Sequence, residues 1–427
     1  MTLIVFCYNE PVCYKGQSKG GDNIMNIAVA QSGGPTCAIN ASLAGVFEQA
    51  LKMPEIDAVF GSINGIEGII NDNLIDLKNY ITTNDDLGLL KQTPSTALGS
   101  CRYKLPSVED DKEVYEKIMD CFKRHGIKAF FYIGGNDSMD TVNKLSKYAA
   151  SKDIDVKIIG VPKTIDNDLC VTDHTPGFGS AAKYVATTVQ EIMCDSRVYS
   201  ISSVTIIEIM GRNAGWLTAS TCVLRANGEI APHLIYLPEG NFDSEKFLKD
   251  VKREMAKHKA VIVAVSEGIQ LGEDENAIVD NFGHKYLSGV GKQLENLVRD
   301  KIGCKVRSIE LNVMQRCSSH ICSKTDIDES VEIGQAAVRA ALDGQTGKMM
   351  AFSRVCDAPY MSEVISVNVD EVANEEKPFP KEWITPDGTN VNEHAVKYFL
   401  PLIQGDIIVR KQNGIPRLFK IHEELLR

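Results

Sequence analysis

The sequence predicts an α/β protein with mainly parallel sheets, from three observations. Short apolar runs alternate with amphipathic stretches along most of the 427 residues, the βαβ rhythm of a parallel sheet. The run at 156–161 is apolar apart from Lys157, as a buried parallel strand should be. Three such runs stop at a glycine or charged turn before a helix, an arrangement that aims backbone N–H groups at an anion. The chain is also long enough for two α/β domains with real cores.

The first 24 residues precede the first credible strand. Their apolar part, Leu3 to Cys7, is too short for the core of a signal peptide. Residues 1–25 are therefore expected to be an extension without function, with Met25 as an alternative start. A strand at 26–30 then leads into Gln31-Ser32-Gly33-Gly34-Pro35-Thr36 and an amphipathic helix at 38–51. The next, at 129–133, ends in Gly134-Gly135-Asn136-Asp137-Ser138 before a helix running to about Ala150. The strand at 156–161 stops at Pro162 and is followed by Lys163, Thr164, Asp166 and Asp168.

In an open α/β sheet the crevice outside the strand ends is where ligands bind. A carboxylate there can take a proton, and a lysine beside it can neutralise a transferring phosphoryl group. Each turn alone has a duller reading. Glycine pairs let a helix pack close to a strand, and Thr and Asp cap helices routinely. Three such turns from one half of the chain point to a phosphate-handling crevice. Further strands are expected at 204–209, 234–237, 260–265 and 305–311, alternating with helices at 213–224, 245–257 and 294–301. Pro378, Pro380 and Pro386 then mark a loop-rich stretch before a charged tail.

GGPTCAINA (33–41), YIGGNDSMD (132–140), GVPKTIDND (160–168), PGFGSAAKY (176–184) and EIMGRNAGW (208–216) resemble, in order, the signature set of the phosphofructokinase family. Weaker likeness continues through LPEG, VSEG and the stretch from Arg307 to Arg316, so it covers about Asn26 to Leu342. The resemblance implies two Rossmann-like domains, with mainly parallel sheets facing each other across an active-site cleft. It places donor binding in residues 26–176 plus about 315–365, and sugar-phosphate binding in 177–314 plus about 366–427.

It also implies roles. Asp166 resembles the base that deprotonates the sugar 1-hydroxyl, with Thr164, Ile165 and Asp168 around it. Gly33, Gly34 and Arg102 match the donor-phosphate contacts. Met210, Gly211 and Arg212 resemble a sugar-phosphate turn, Glu267 a hydroxyl acceptor, and Arg316 with Arg307 a clamp on the 6-phosphate; paired arginines suit a dianion. ATP users of the family carry small residues where this chain has Asp137 and Lys163, which is similar to the pyrophosphate-dependent branch. A carboxylate at Asp137 opposes a nucleotide's α-phosphate by charge and bulk, and Lys163 supplies a cation where pyrophosphate needs one. The two could also simply pair with each other.

Three departures stand out. Asn136 occupies the place of a metal-binding aspartate, leaving an uncharged amide for Mg²⁺. Val313 stands where pyrophosphate users often carry a tyrosine, and Ser203 where bacterial ATP users carry an arginine that crosses the subunit boundary.

Composition excludes several classes. The formal charge of −11 argues against nucleic acid and anionic membranes. No run approaches the roughly 18 apolar residues of a membrane-spanning helix. The twelve cysteines are scattered singly, so free thiols and a cytoplasmic location are expected. Cys317, His320 and Cys322 lack zinc-site spacing, and no CxxC occurs, so no metal cluster is expected. None of the eight histidines is obviously catalytic. Gly177 to Ala182 matches G-x-G-x-x-A, but no strand precedes it, and there is no GK[ST] for a P-loop.

The resemblance thus implies reversible phosphoryl transfer from pyrophosphate to fructose 6-phosphate with Mg²⁺, in a homodimer or homotetramer. Open beside it stand ATP as donor, sedoheptulose 7-phosphate as acceptor, and an inactive regulatory subunit. Joint retention of Asp166, Lys163 and Arg212 speaks against the last.

Overall fold

The computed structural model describes residues 24–271 and 289–421. The expected N-terminal extension lies outside them apart from its last two residues. In chain order the main strands are β1 Met25–Gln31, β2 Ile56–Ser62, β3 Leu74–Asp76, β4 Ile127–Gly134, β5 Lys157–Pro162 and β6 Ser203–Ile209. They continue as β7 Leu234–Tyr236, β8 Ala260–Ser266, β9 Lys305–Glu310, β10 Lys348–Asp357 and β11 Tyr360–Asn368. One sheet has the order β11-β10-β5-β4-β1-β2-β3 and the other β7-β8-β6-β9. The second is parallel throughout, and the first is parallel except at its edges, where β11 and β3 run antiparallel to their neighbours. This is the fold class expected from the sequence.

The central strands of both sheets are buried on two faces and are almost unbroken apolar runs such as Val261 to Val265. On the first sheet, helices Ile39–Lys52 and Lys324–Leu342 cross with their backbones touching. A Cβ on Gly45 would stand 2.1 Å from Val331 O, and one on Gly334 would stand 2.2 Å from Ser42 O. Only hydrogen fits at either place. The second sheet packs on helices Phe178–Arg197 and Glu393–Leu402 and on Trp216, whose ring meets Phe379, Trp383, Tyr398 and Phe399.

Asp326 joins the two halves. Its carboxylate accepts from Gly177 N (2.8 Å) and Ser180 N (3.1 Å), closing the amino end of helix Phe178–Arg197 from a helix that packs on the first sheet.

The helix expected at 213–224 is shorter, Trp216–Ser220, and tightens into a 3₁₀ stretch at Thr221–Asn227. Residues 210–215 are instead a loop whose Asn213 amide donates to Glu376 (2.7 Å). β5 reaches one residue further than expected, to Pro162 opposite Gly134, a strand end where a missing N–H is tolerated. The described cysteines are all free, as expected. No helix among the described residues is long and apolar enough to cross a membrane.

Candidate active site

The register of both sheets brings the functional turns together. Gln31 pairs with Ile133 and Gly134 with Pro162, so β1, β4 and β5 end level. In the second sheet Ile209 pairs with Ser266 and Glu208 with Glu310, so the turns after β6, β8 and β9 also emerge side by side. The two edges line one cleft of about 690 Å³ that contains Gly33, Gly34, Arg102, Asp137, Lys163, Thr164, Ile165, Asp166, Met210, Arg212, Glu267 and Arg316.

Each turn has a local cause. Gly33 takes φ +76°, a conformation glycine adopts freely. Thr36 Oγ accepts from the amides of Ala38 and Ile39 (3.2 and 3.0 Å), starting the helix behind the glycine turn. Thr164 Oγ likewise accepts from Asp166 N (3.1 Å). Gly211 has φ +135°, and a Cβ on Gly268 would stand 1.9 Å from Arg212 O, so the turn after β6 nests against the turn after β8. Glu267 closes that nest by accepting from Gly211 N (3.3 Å).

Lys163 lies almost wholly buried beneath the glycine turn, and its ammonium donates to Gly34 O (2.7 Å). No ion pair joins it to Asp137 among the described residues; Asp137 sits exposed on the first turn of helix Asn136–Ser151. Two of the lysine's three donors remain for a ligand. Arg316 also reaches this turn: a Cβ on Gly34 would lie 3.3 Å from its Nη1.

Burial dominates the electrostatics of the cleft floor. Burial first, then the charges of Asp168 and Glu267, push the Asp166 carboxyl up to about 7 against the pull of Lys163 and Arg212. Asp168 is also raised, by burial and then by Glu376. Glu267 is raised by burial, against Gly211 N–H, Arg212 and Arg316. Burial pulls Lys163 down to about 8, against Asp166 and Asp168. A carboxyl poised near neutrality beside a buried lysine is the arrangement expected of a general base next to an anion.

Sequence reasoning missed the support behind this floor. Asn167 stands at φ +55° between the two aspartates, wholly buried, and its amide donates to Tyr398 Oη (2.9 Å). Tyr398 Oη in turn donates to Asp173 O (2.6 Å). Lys377 N donates to Asp168 O (2.7 Å), while its ammonium donates to the carbonyls of Thr172 (3.0 Å) and Asp173 (2.8 Å). Glu376, from the same segment, lines the cleft, as do Tyr103 and Lys104. The only sequence signal was a charged run ahead of two prolines.

Some expected contacts are not where the motifs put them. Arg307 lies outside the cleft lining: it is third along β9, three residues short of the strand end, and its Nη1 faces Asp195 at 3.4 Å. Val313 is exposed on the following turn and does not line the cleft either. Gly211 contributes backbone geometry beneath the lining. Asn136 lines the cleft but is held by another loop: its amide donates to Glu375 O (2.6 Å) and its carbonyl accepts from Asn374 N (2.5 Å). It ties down the strap that carries Glu376.

Residues 26–341 match the phosphofructokinase family. The chain is 38% identical over 404 residues to a pyrophosphate–fructose 6-phosphate 1-phosphotransferase of Halomonas elongata, spanning 93% of this chain and 96% of that protein. It is 40% identical over 400 residues to a protein of the same name from Xanthomonas campestris pv. campestris, with 92% and 95% spanned. A solved pyrophosphate-dependent phosphofructokinase from Marinobacter aquaeolei superposes with a TM-score of 0.83 at 38% identity, over 93% of this chain and 96% of that one.

Proposed function

Because the chain belongs to the phosphofructokinase family, we propose that its cleft transfers a phosphoryl group reversibly from pyrophosphate to the 1-hydroxyl of fructose 6-phosphate. The products are fructose 1,6-bisphosphate and phosphate. The observation that carries the donor choice is the pair of strand-end residues on one wall: Lys163 buried under the glycine turn and Asp137 exposed at the helix start.

In this reading Asp166 takes the proton of the 1-hydroxyl as its oxygen attacks the terminal phosphorus. Lys163, already tied to Gly34 O, turns its remaining N–H groups to the transferring phosphoryl oxygens. The amides of Gly33 and Gly34 and the guanidinium of Arg102 hold the donor. Met210, Gly211, Arg212, Glu267 and Arg316 hold the sugar phosphate, with Thr164 and Ile165 shaping the floor. Asp137 keeps a nucleotide out by like charge.

Asp168 and Asn136, both lining the cleft, fit a divalent cation: burial, and then the charge of Glu376, raises the Asp168 carboxyl, and a hard cation takes carboxylate and amide oxygens as ligands. We assign this place to Mg²⁺, which when bound neutralises pyrophosphate oxygens.

The donor side comprises residues 26–176 with about 315–365, and the sugar-phosphate side 177–314 with about 366–427. Exposed Val198, Tyr199, Ile201 and Ile230 support a homodimer or homotetramer, and the free thiols support a cytoplasmic location.

The test is a coupled assay of fructose 1,6-bisphosphate formation with pyrophosphate and with ATP. Turnover with pyrophosphate and little with ATP is the expected result. Turnover with neither donor overturns the reading.

A further inference from the structure

A second cluster of ligand-bearing side chains lies far from the cleft. Helix Lys112–Arg124 ends with Cys121 on its last turn and His125 as its cap, four residues apart and so on one face. Asp72, in the turn before β3, meets both. Its Oδ1 accepts from Cys121 Sγ at 3.5 Å and lies 2.6 Å from His125 Nε2. The three candidate ligand atoms all lie within 4.8 Å of one another. His125 O also accepts from Asn26 Nδ2 (2.7 Å), and Phe60 packs edge-on against the imidazole at 5.3 Å. These contacts place the cluster where β1 begins, about a strand's length, roughly 20 Å, from the loops that follow it.

An ion pair alone accounts for Asp72 with His125, and for Arg124, whose Nη2 lies 3.2 Å from Asp72 Oδ2. It does not account for a buried thiol turned onto the same carboxylate oxygen as the imidazole. We propose that Asp72, Cys121 and His125 form a binding site for a zinc-like divalent ion, clamping the 71–73 turn to the end of helix Lys112–Arg124.

The chemistry favours this class of metal. One thiolate, one imidazole and one carboxylate are the ligands zinc takes, with bonds of about 2.0–2.3 Å and a fourth, tetrahedral position left for water. Ligand atoms around such an ion stand roughly 3.2–3.8 Å apart, so Asp72 and His125 need to separate by only about an ångström. Arg124 holds the other carboxylate oxygen and fixes its direction, as outer-shell partners of metal ligands do. The ligands sit at a helix carboxyl end, whose dipole attracts cations. Asp72 and His125 are partly exposed while Cys121 is buried, so an ion can enter from solvent and finish on sulfur. On binding, the Cys121 proton passes to water and the Asp72–His125 hydrogen bond is replaced by two metal bonds.

Cobalt(II) is the probe, added to the full chain under saturating Mg²⁺ so that the oxygen ligands of the cleft are occupied. The expected result is a thiolate-to-cobalt absorption band that saturates at one equivalent and is displaced by one equivalent of zinc. Cys121→Ser should abolish the band, and Cys317→Ser should leave it intact. His125→Gln and Asp72→Asn, both at the surface, should weaken cobalt binding by at least about tenfold, and they decide the matter even where Cys121→Ser fails to fold. Absence of a thiolate band in the unaltered protein overturns the proposal. So does a band that survives Cys121→Ser, or cobalt binding untouched by both surface variants.

Discussion

The acid limb of the pH–rate profile tests the role of Asp166. In the free cleft its carboxyl is pushed up to about 7 by burial and by the charges of Asp168 and Glu267. A general base works only when deprotonated, so activity is present above that value and is lost as pH falls through it. One unit below the pKa only about a tenth of the carboxyl is ionised, so kcat/KM for fructose 6-phosphate should fall about tenfold per unit below neutrality. An ordinary aspartate would show no fall until about pH 4.

The alkaline limb has the opposite sign. Lys163, pulled down to about 8, is cationic below that pH and loses its charge above it, so the profile should be bell-shaped and narrow. Asp166→Asn keeps the shape of the floor and removes the base; turnover should drop by about 10²–10⁴ with sugar-phosphate affinity retained. The assay couples fructose 1,6-bisphosphate formation to NADH oxidation, run across pH with excess coupling enzymes. An acid limb near pH 4, or near-normal turnover in Asp166→Asn, refutes the assignment.

Three further expectations concern the frame. His174, buried between Asp173 (2.9 Å) and Glu329 (2.9 Å), is raised to about 9, above its unfolded value near 6.5. Its contribution is therefore full below about 6.5 and lost as pH rises through 9; urea unfolding should show a loss of up to roughly 3 kcal/mol across that window, absent in His174→Phe. Gly334→Ala puts a methyl 2.2 Å from Ser42 O and should cost about 1–3 kcal/mol; an unchanged thermal midpoint would contradict the close helix crossing. Tyr398→Phe takes away the acceptor of Asn167 Nδ2 and should loosen both aspartates, lowering kcat more than it raises KM; an unchanged kcat would show that the floor holds itself.

The sequence made the cleft legible where function sits at strand ends. Gly33, Asp137, Lys163 and Asp166 each follow a strand directly, so their convergence could be read from the βαβ rhythm alone. What stayed hidden comes from far along the chain. Lys377 and Tyr398 reach the aspartate loop only after β10 and β11 have joined the first sheet and the last long helix has packed on the second. No local pattern announces that.

Arg307 stands outside the cleft lining of this chain, since a motif gives the strand but not how far along it a side chain stands. The contacts of Asn136 were not legible because its amide is held by residues some 240 positions away. The four-residue spacing of Cys121 and His125 is readable in the sequence, but their shared partner, Asp72, lies 49 positions before Cys121. β2, β3, β10 and β11 were not among the expected strands; β11, an edge strand, carries exposed residues along much of its length and lacks a sustained apolar run.

Donor selection by Lys163 and Asp137 is most directly tested by the ratio of kcat/KM for pyrophosphate to kcat/KM for ATP, measured in the unaltered enzyme and in the variant carrying both Asp137→Gly and Lys163→Gly. The two residues share a wall and need not act additively, so the double change is the cleaner probe. The unaltered enzyme should strongly favour pyrophosphate, and the double variant should fall towards ATP, losing pyrophosphate turnover through Lys163 and admitting the nucleotide through Asp137. A ratio that already favours ATP, or one that stays unchanged in the double variant, would contradict the account.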